Sequence, residues 1–252
     1  MPRRPASLNA ATSGREKPGG AFTGIAVGDR RFSLDRRLPV AVQISAVLRD
    51  MILKLELEPG TVISKDDVAK AFGVSSMPVR EALRKLEEEG LVVIKPQSGT
   101  YVTTIDVGWA KEAQFLRIGV EVEVVRHLVK AITEAEIQEL ERILAHQQIE
   151  YEADDKDGFS RDDAAFHAAM YRMVGVAGLW QKIGSMRVHI DRLRLMHMPV
   201  GGKMNRVLVD HRAILDALRA RDAAAAEAAL RQHLSGTLSV IETLRERYPH
   251  YF

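Results

Sequence analysis

The chain has no cysteine among its 252 residues. That excludes disulfides, a thiol nucleophile and any metal site with thiolate ligands, and it fits a reducing compartment. No apolar run approaches the ~18 residues needed to cross a bilayer. The arginines near the N-terminus have no apolar stretch behind them, so no secretory signal is expected either. Aromatic residues are scarce at 6%, and no Gly-rich phosphate loop or nucleophile elbow occurs. What remains is an ordinary globular mix, 46% hydrophobic and 28% charged, long enough for one large domain or two smaller ones. The expectation is a cytoplasmic protein with no membrane partner.

The net charge of +2 is unevenly spread. Residues 1–37 carry eight Lys/Arg against three Asp/Glu, residues 38–105 eight against nine, and residues 106–252 twenty against twenty-two. Residues 1–37 are also rich in Gly, Pro, Ser and Arg and show no periodicity. They read as a disordered basic leader, either solvated or able to reach phosphates.

From Val40 the pattern changes. Val40, Ile44, Val47, Leu48, Met51, Ile52 and Leu55 recur at helical spacing, and Glu58-Pro59-Gly60 ends the run. Ser64 can cap a second helix to Phe72, with Asp66 and Asp67 in its first turn and Gly73 allowing a tight turn. Ser75 or Ser76 can cap a third, in which Val79, Ala82, Leu83 and Leu86 form an apolar stripe and which Gly90 ends. Leu91 to Ile94 and Thr100 to Thr104 read as strands around the turn cluster Lys95-Pro96-Gln97-Ser98-Gly99. Three helices and a hairpin describe a winged helix-turn-helix. After Asp106 the pattern is helical to the end, with helices expected near 107–131, 134–150, 157–174, 177–197, 204–220 and 222–247. The fold class is therefore mainly α: a winged helix-turn-helix over 38–105, then an all-α six-helix bundle over 106–252.

In the third helix Met77, Arg80 and Arg84 lie away from the apolar stripe. A recognition helix offers such residues to base edges, and Arg80 can donate two hydrogen bonds to a guanine. The alternative is a solvated arginine paired with an acid such as Glu81. Ser75, Ser76 and the free N–H groups of the helix start suit a phosphate. In the wing turn Lys95 and Gln97 can approach the backbone or minor groove, and Gly99 removes an obstructing side chain. The segment Phe72-Gly73-Val74-Ser75, then Pro78-Val79-Arg80-Glu81-Ala82-Leu83 through Glu89-Gly90-Leu91-Val92, is framed by Leu57-Glu58-Pro59-Gly60 and Ser98-Gly99-Thr100-Tyr101-Val102. It resembles the GntR family of bacterial transcription regulators. The resemblance implies double-stranded operator DNA as partner. It departs from the family at Ser76, often arginine, at Met77, commonly threonine, and at Asp66, commonly basic or polar.

In the C-terminal half Asp163 and His167 share a helix face at i, i+4, His211 opens the run His-Arg-Ala-Ile-Leu-Asp-Ala-Leu, and His233 flanks an apolar stripe. Spacing alone leaves two readings: a metal site of three imidazoles and a carboxylate, or histidines packed singly in a core. The same positions, with Arg117 and Glu121 on the first bundle helix, resemble the FCD effector domain of a GntR subgroup. That resemblance implies a divalent metal, often zinc, held by Asp163, His167, His211 and His233. It also implies a small carboxylate or sugar-acid effector at the metal's open positions. Arg117 would hold the carboxylate through a two-point pair, or else form a salt bridge with Glu121. His189 stands at inward spacing but outside the metal set. The expectation is an effector-responsive regulator, a homodimer on a pseudo-palindromic operator and nucleoid-associated when bound. Two alternatives stand beside it: a metal-dependent hydrolase fused to a DNA-binding head, for which spacing suggests no general base, and an architectural DNA binder with a structural metal.

Overall fold

The structure is a computed structural model that describes Val27 and residues 30–198 and 202–252. Helix α1 (Val40–Leu53) buries Ile44, Leu48, Met51 and Ile52 against α3 (Ser76–Glu88). Between them α2 (Lys65–Phe72) starts where the Ser64 side chain accepts from the Asp67 N–H and stops at Gly73, whose φ of 64° is left-handed. The hairpin strands are β2 (Val92–Lys95) and β3 (Gly99–Val102), paired from Val92 with Val102 to Lys95 with Gly99. A further strand, β1 (Val62–Ile63), pairs antiparallel with the other edge of β3, giving the order β1-β3-β2. The sequence offered no signal for it, because two residues are too few for alternation to register.

Helix α4 (Val107–Ala131) begins at Asp106, whose carboxylate accepts from the Trp109 N–H. Its first turn explains Gly90: a Cβ there would sit 2.8 Å from the Trp109 ring, so the turn after α3 admits no side chain. Helix α5 (Glu134–Glu152) opens on a capping box of Thr133 and Glu136. Then come α6 (Lys156–Met173), α7 (Ala177–Met186), α8 (Val188–His197), α9 (Lys203–Arg219), α10 (Ala223–Ser235) and α11 (Ile241–Arg247). Among the described residues no helix is long and apolar enough to cross a membrane.

Three expectations need correction. The helix foreseen over 177–197 breaks at Arg187, which lets Val188 enter the core of the winged head. The one foreseen over 222–247 breaks at Gly236, passing through a 3-10 turn at Leu238–Val240 before α11. Among the described residues the bundle thus has eight α-helices rather than six. Most of residues 1–37 lies outside the described residues, but the described part of this leader is packed. Val27 is buried in the head, and Phe32 stacks on Phe72 with ring centroids 4.6 Å apart while its N–H donates to the Ala71 carbonyl. One apolar ring meeting another outweighs a polar composition locally.

Head and bundle share a seam. Arg49 on α1 pairs with Glu89 at 2.8 Å and donates to the Gly184 carbonyl of α7 at 2.6 Å. Lys54 bridges Asp50 and Asp157, each at 3.0 Å. Arg192, fully buried on α8, donates to the Thr103 carbonyl at 2.9 Å.

Candidate metal centre and DNA-reading face

Helices α6, α9 and α10 bring Asp163, His167, His211 and His233 to one buried point, where one ligand atom from each lies within 4.8 Å of the others. The Nε2 atoms of His167 and His233 face each other at 3.1 Å, and His211 Nε2 lies 3.6 Å from Asp163 Oδ1. Those separations bracket the about 3.3 Å between neighbouring ligands that a tetrahedral zinc with 2.0–2.1 Å bonds requires.

The surrounding bonds prepare the imidazoles. His211 Nδ1 is 2.9 Å from the side-chain amide oxygen Oε1 of Gln147, while Gln147 Nε2 donates to the Phe159 carbonyl. Gln147 thus offers an acceptor to Nδ1–H, which leaves Nε2, buried without a hydrogen-bond partner, carrying its lone pair. His167 Nδ1 lies 2.7 Å from Glu121 Oε2, and Glu121 Oε1 accepts from Arg117 Nε at 2.7 Å. Arg117, Glu121 and His167 therefore form a buried chain from α4 to α6. His233 Nδ1 faces Asp210 at 3.7 Å.

Burial pushes the His211 imidazole well below its usual range, with the neighbouring His233 adding to the shift. Burial likewise brings His233 down to about 4. Both are neutral at pH 7, the form that ligates. Burial pushes the Asp163 carboxyl up, but Arg194 beside it and the three imidazoles pull it further the other way, so it stays ionised. Glu121 is held below its usual range by Arg117 and His167 against the cost of burial.

The structure thus brings the four residues expected as ligands to one point. Arg117 and Glu121 make the salt bridge that was the alternative to an effector contact, and Glu121 turns to His167 rather than outward. One guanidinium nitrogen of Arg117, Nη2, remains buried and unpartnered. His189 lies elsewhere: its Nδ1 accepts from the Asp106 N–H at 3.1 Å. Sequence reasoning missed Arg194, which pairs with Asp163, and Gln147, which orients His211. A buried arginine demands an acid, but nothing in spacing says which helix supplies it.

On the head, Ser75, Ser76, Met77, Arg80 and Arg84 are all exposed along the start and one face of α3. Ser75 is the N-cap residue, yet its side chain makes no capping bond, and no acid sits in the first turn. Among the described residues no acid pairs with Arg80, whereas Arg84 pairs with Glu88 at 3.3 Å. The wing turns at Gln97, whose φ of 61° is left-handed, and the Tyr101 hydroxyl props it by donating to the Ser98 carbonyl at 2.9 Å. Lys95 lies over the Tyr101 ring.

Residues 40–102 match the bacterial regulatory proteins of the gntR family, and residues 112–236 match the FCD domain. The HTH-type transcriptional repressor RspR of Escherichia coli K12 is 34% identical over 85% of this chain and 94% of its own length. The chain belongs to the GntR family. It is a DNA-binding transcription regulator with an FCD effector domain, and the names of its relatives are those of regulators, not of hydrolases. The gluconate operon transcriptional repressor of Bacillus subtilis is 26% identical over 81% of this chain and 85% of its own length. The E. coli McbR/YncC structure has the same fold, with a TM-score of 0.70 at 20% identity over 82% of this chain and 98% of that one. In this GntR regulator the metal-type cluster lies wholly within the FCD match and the exposed face of α3 wholly within the gntR match.

Proposed function

We propose that Asp163, His167, His211 and His233 hold a divalent metal ion, zinc by the chemistry of the donor set. A small carboxylate or sugar-acid effector would complete its shell and thereby modulate operator binding. The observation that carries this reading is the convergence of three imidazoles and a carboxylate on one buried point, two of the imidazoles held neutral. Three imidazole nitrogens and one carboxylate oxygen suit zinc better than magnesium or calcium, which prefer all-oxygen shells. When bound, the ion supplies a Lewis-acidic centre with open positions for a carboxylate. Arg117 offers its unpartnered Nη2 to that carboxylate, and Glu121 fixes the ring of His167. The name of the gluconate operon repressor supports a sugar acid as the effector class.

At the other end, Ser75 and Ser76 meet phosphate, while Met77, Arg80 and Arg84 face base edges. Lys95, Gln97 and Gly99 bring the wing to the adjacent backbone. The reading divides the chain into a leader to residue 37, a DNA-binding unit over 38–105 and an effector-binding and dimerisation unit over 106–252, and two copies read the half-sites of one operator.

His211→Ala tests it. The variant should lose stoichiometric zinc by elemental analysis, and with it the zinc-dependent rise in thermal stability, about 2.7 kcal/mol at a hundredfold excess of metal over its Kd. It should also lose any response of operator affinity to a panel of sugar acids. Zinc-reconstituted wild type that carries no stoichiometric ion, or His211→Ala that keeps it, would overturn the metal reading. An operator titration indifferent to every acid in the panel would overturn the effector reading.

A further inference from the structure

A polar pocket lies at the start of α9, about 320 Å³ in volume and lined by His197, Gly202, Lys203, Arg206, Gly236 and Ser239. Its contents are unbalanced in charge. Lys203 is only 9% exposed, and among the described residues no acid pairs with it. Asp163 and Asp210, the two carboxylates whose fields reach it, are engaged elsewhere: Asp163 with Arg194, and Asp210 opposite His233 at 3.7 Å. The ammonium lies against Gly236, where a Cβ would come within 3.3 Å of Nζ, so this glycine of the pocket wall leaves room for it.

Two further features point the same way. His197 Nδ1 is buried with no hydrogen-bond partner. Burial, with the positive fields of Lys203 and Arg206 added, brings that imidazole down to about 4. Helix α9 runs for 17 residues from Lys203, with Gly202 as its N-cap, no side-chain cap bond and no acid in its first turn, so among the described residues its leading N–H groups have no side-chain partner. A buried lysine, a nearby arginine and an uncapped helix start, with no anion among them, are the parts of an anion site.

We propose that this pocket binds a doubly charged anion, the phosphoryl group of a small metabolite or free phosphate, held by Lys203, Arg206 and the first amides of α9. A single carboxylate would leave one of the two cations uncompensated; a dianion neutralises both. The cavity is at the small end of the about 300–1,000 Å³ of ligand pockets, which leaves room beside a phosphoryl group for a compact organic part. The inference does not depend on the metal at the other cluster.

The test uses the full chain, stripped of metal by chelation and dialysed free of phosphate, and titrated calorimetrically with inorganic phosphate and with a hexose monophosphate. Chloride at matched ionic strength is the control. Saturable binding is expected, accompanied by a rise in melting temperature that chloride does not reproduce. Lys203→Met should weaken binding roughly tenfold to a hundredfold, the range of a charge-assisted hydrogen bond. It should also raise the melting temperature of the ligand-free protein, because it removes an uncompensated buried cation, and it should leave the zinc-to-protein ratio unchanged. Arg206→Gln, at an exposed position, weakens binding in the same direction and reads the site even if Lys203→Met does not fold. Tighter binding of the hexose monophosphate assigns the site to a phosphorylated metabolite; equal binding assigns it to free phosphate. No saturable heat with either probe, a chloride effect of equal size, or undiminished affinity in both variants would overturn the proposal.

Discussion

The head and the bundle each carry an Arg–Glu pair at i, i+4 on a helix. In the head Arg84 and Glu88 are 3.3 Å apart with side chains 78% and 65% exposed; in the bundle Arg117 and Glu121 are 2.7 Å apart with side chains 3% and 0% exposed. The motif is the same and its physics is opposite. On α3 the pair lies in water, away from the apolar stripe, so either charge can leave it for a phosphate or a base at little cost. On α4 the pair stands in the core, where each charge depends on the other and on His167 beyond it. The head keeps its chemistry on the surface and its stability beneath. The bundle puts both in one place, so what holds the site also holds the fold.

The sharpest way to break that comparison is to cut both pairs. Arg117→Ala should destabilise the protein by roughly 3–5 kcal/mol, because it leaves Glu121 buried and uncompensated. Arg84→Ala should cost at most about 1 kcal/mol. Urea unfolding of the two variants beside wild type measures the difference. Equal losses would mean that burial does not govern the value of the two pairs.

Acid should separate the regions next. His233 is held at about 4 in the fold by burial, against 6.5 for the free side chain, and His211 and His189 shift in the same direction. Between those values the unfolded chain takes up protons that the folded chain refuses. Stability is therefore full above pH 6.5 and falls as the pH drops towards 4, by about 3 kcal/mol for His233 alone. The metal-free protein shows this most simply, in denaturant melts at pH 7, 5.5 and 4.5. His233→Asn should flatten the curve over that window. An unchanged slope in the variant would place the acid sensitivity elsewhere.

On the exposed side, Arg80→Ala should cost about 1–3 kcal/mol of specific operator binding and nothing measurable in stability, because the side chain lies off the buried stripe of Val79, Ala82, Leu83 and Leu86. An operator titration run beside a melt checks both halves. A loss of stability without a loss of affinity would invert the roles assigned to this helix.

How much of this could be read in advance follows the same division. The head is built from local signals: Ser64 and Gly73 bound α2, Gly90 ends α3, and the Lys95–Gly99 cluster turns the hairpin. Each of these acts within a few residues, so the sequence displays it. The four metal-type residues stood out by residue type and spacing, but spacing left packed core histidines as an alternative reading, and only the family resemblance implied a ligand set. Gln147 and Arg194 did not stand out, and Glu121 was read with Arg117 rather than with His167, because all three reach the imidazoles and Asp163 from other helices. The break at Arg187 was equally silent. No proline marks it, and it exists because Val188 fills the head's core, a contact made across the chain. The described end of the leader misled for the related reason that Phe32 finds Phe72, about forty residues away along the chain.

The smallest effect in stability bears on how the two regions communicate. Arg49 on α1 holds Glu89, the residue that closes α3, and at the same time donates to the Gly184 carbonyl of α7. Helix α7 also carries Trp180, which stacks on His167 at 6.0 Å and under the Arg187 guanidinium at 3.7 Å. One side chain thus touches the end of α3, the proposed DNA-reading helix, and the helix that backs a proposed metal ligand. It is half-exposed, so Arg49→Ala should cost about 1 kcal/mol of stability or less. It leaves the proposed metal ligands and the proposed base-facing residues of α3 in place, so zinc content and metal-free operator affinity should stay near wild type. What should shrink is the ratio of operator affinities with and without zinc, since a coupling free energy needs a contact that differs between the two states. Four titrations, wild type and variant with and without zinc, measure it. If the ratio survives Arg49→Ala intact, the signal crosses the seam elsewhere, and Lys54 between Asp50 and Asp157 becomes the contact to cut.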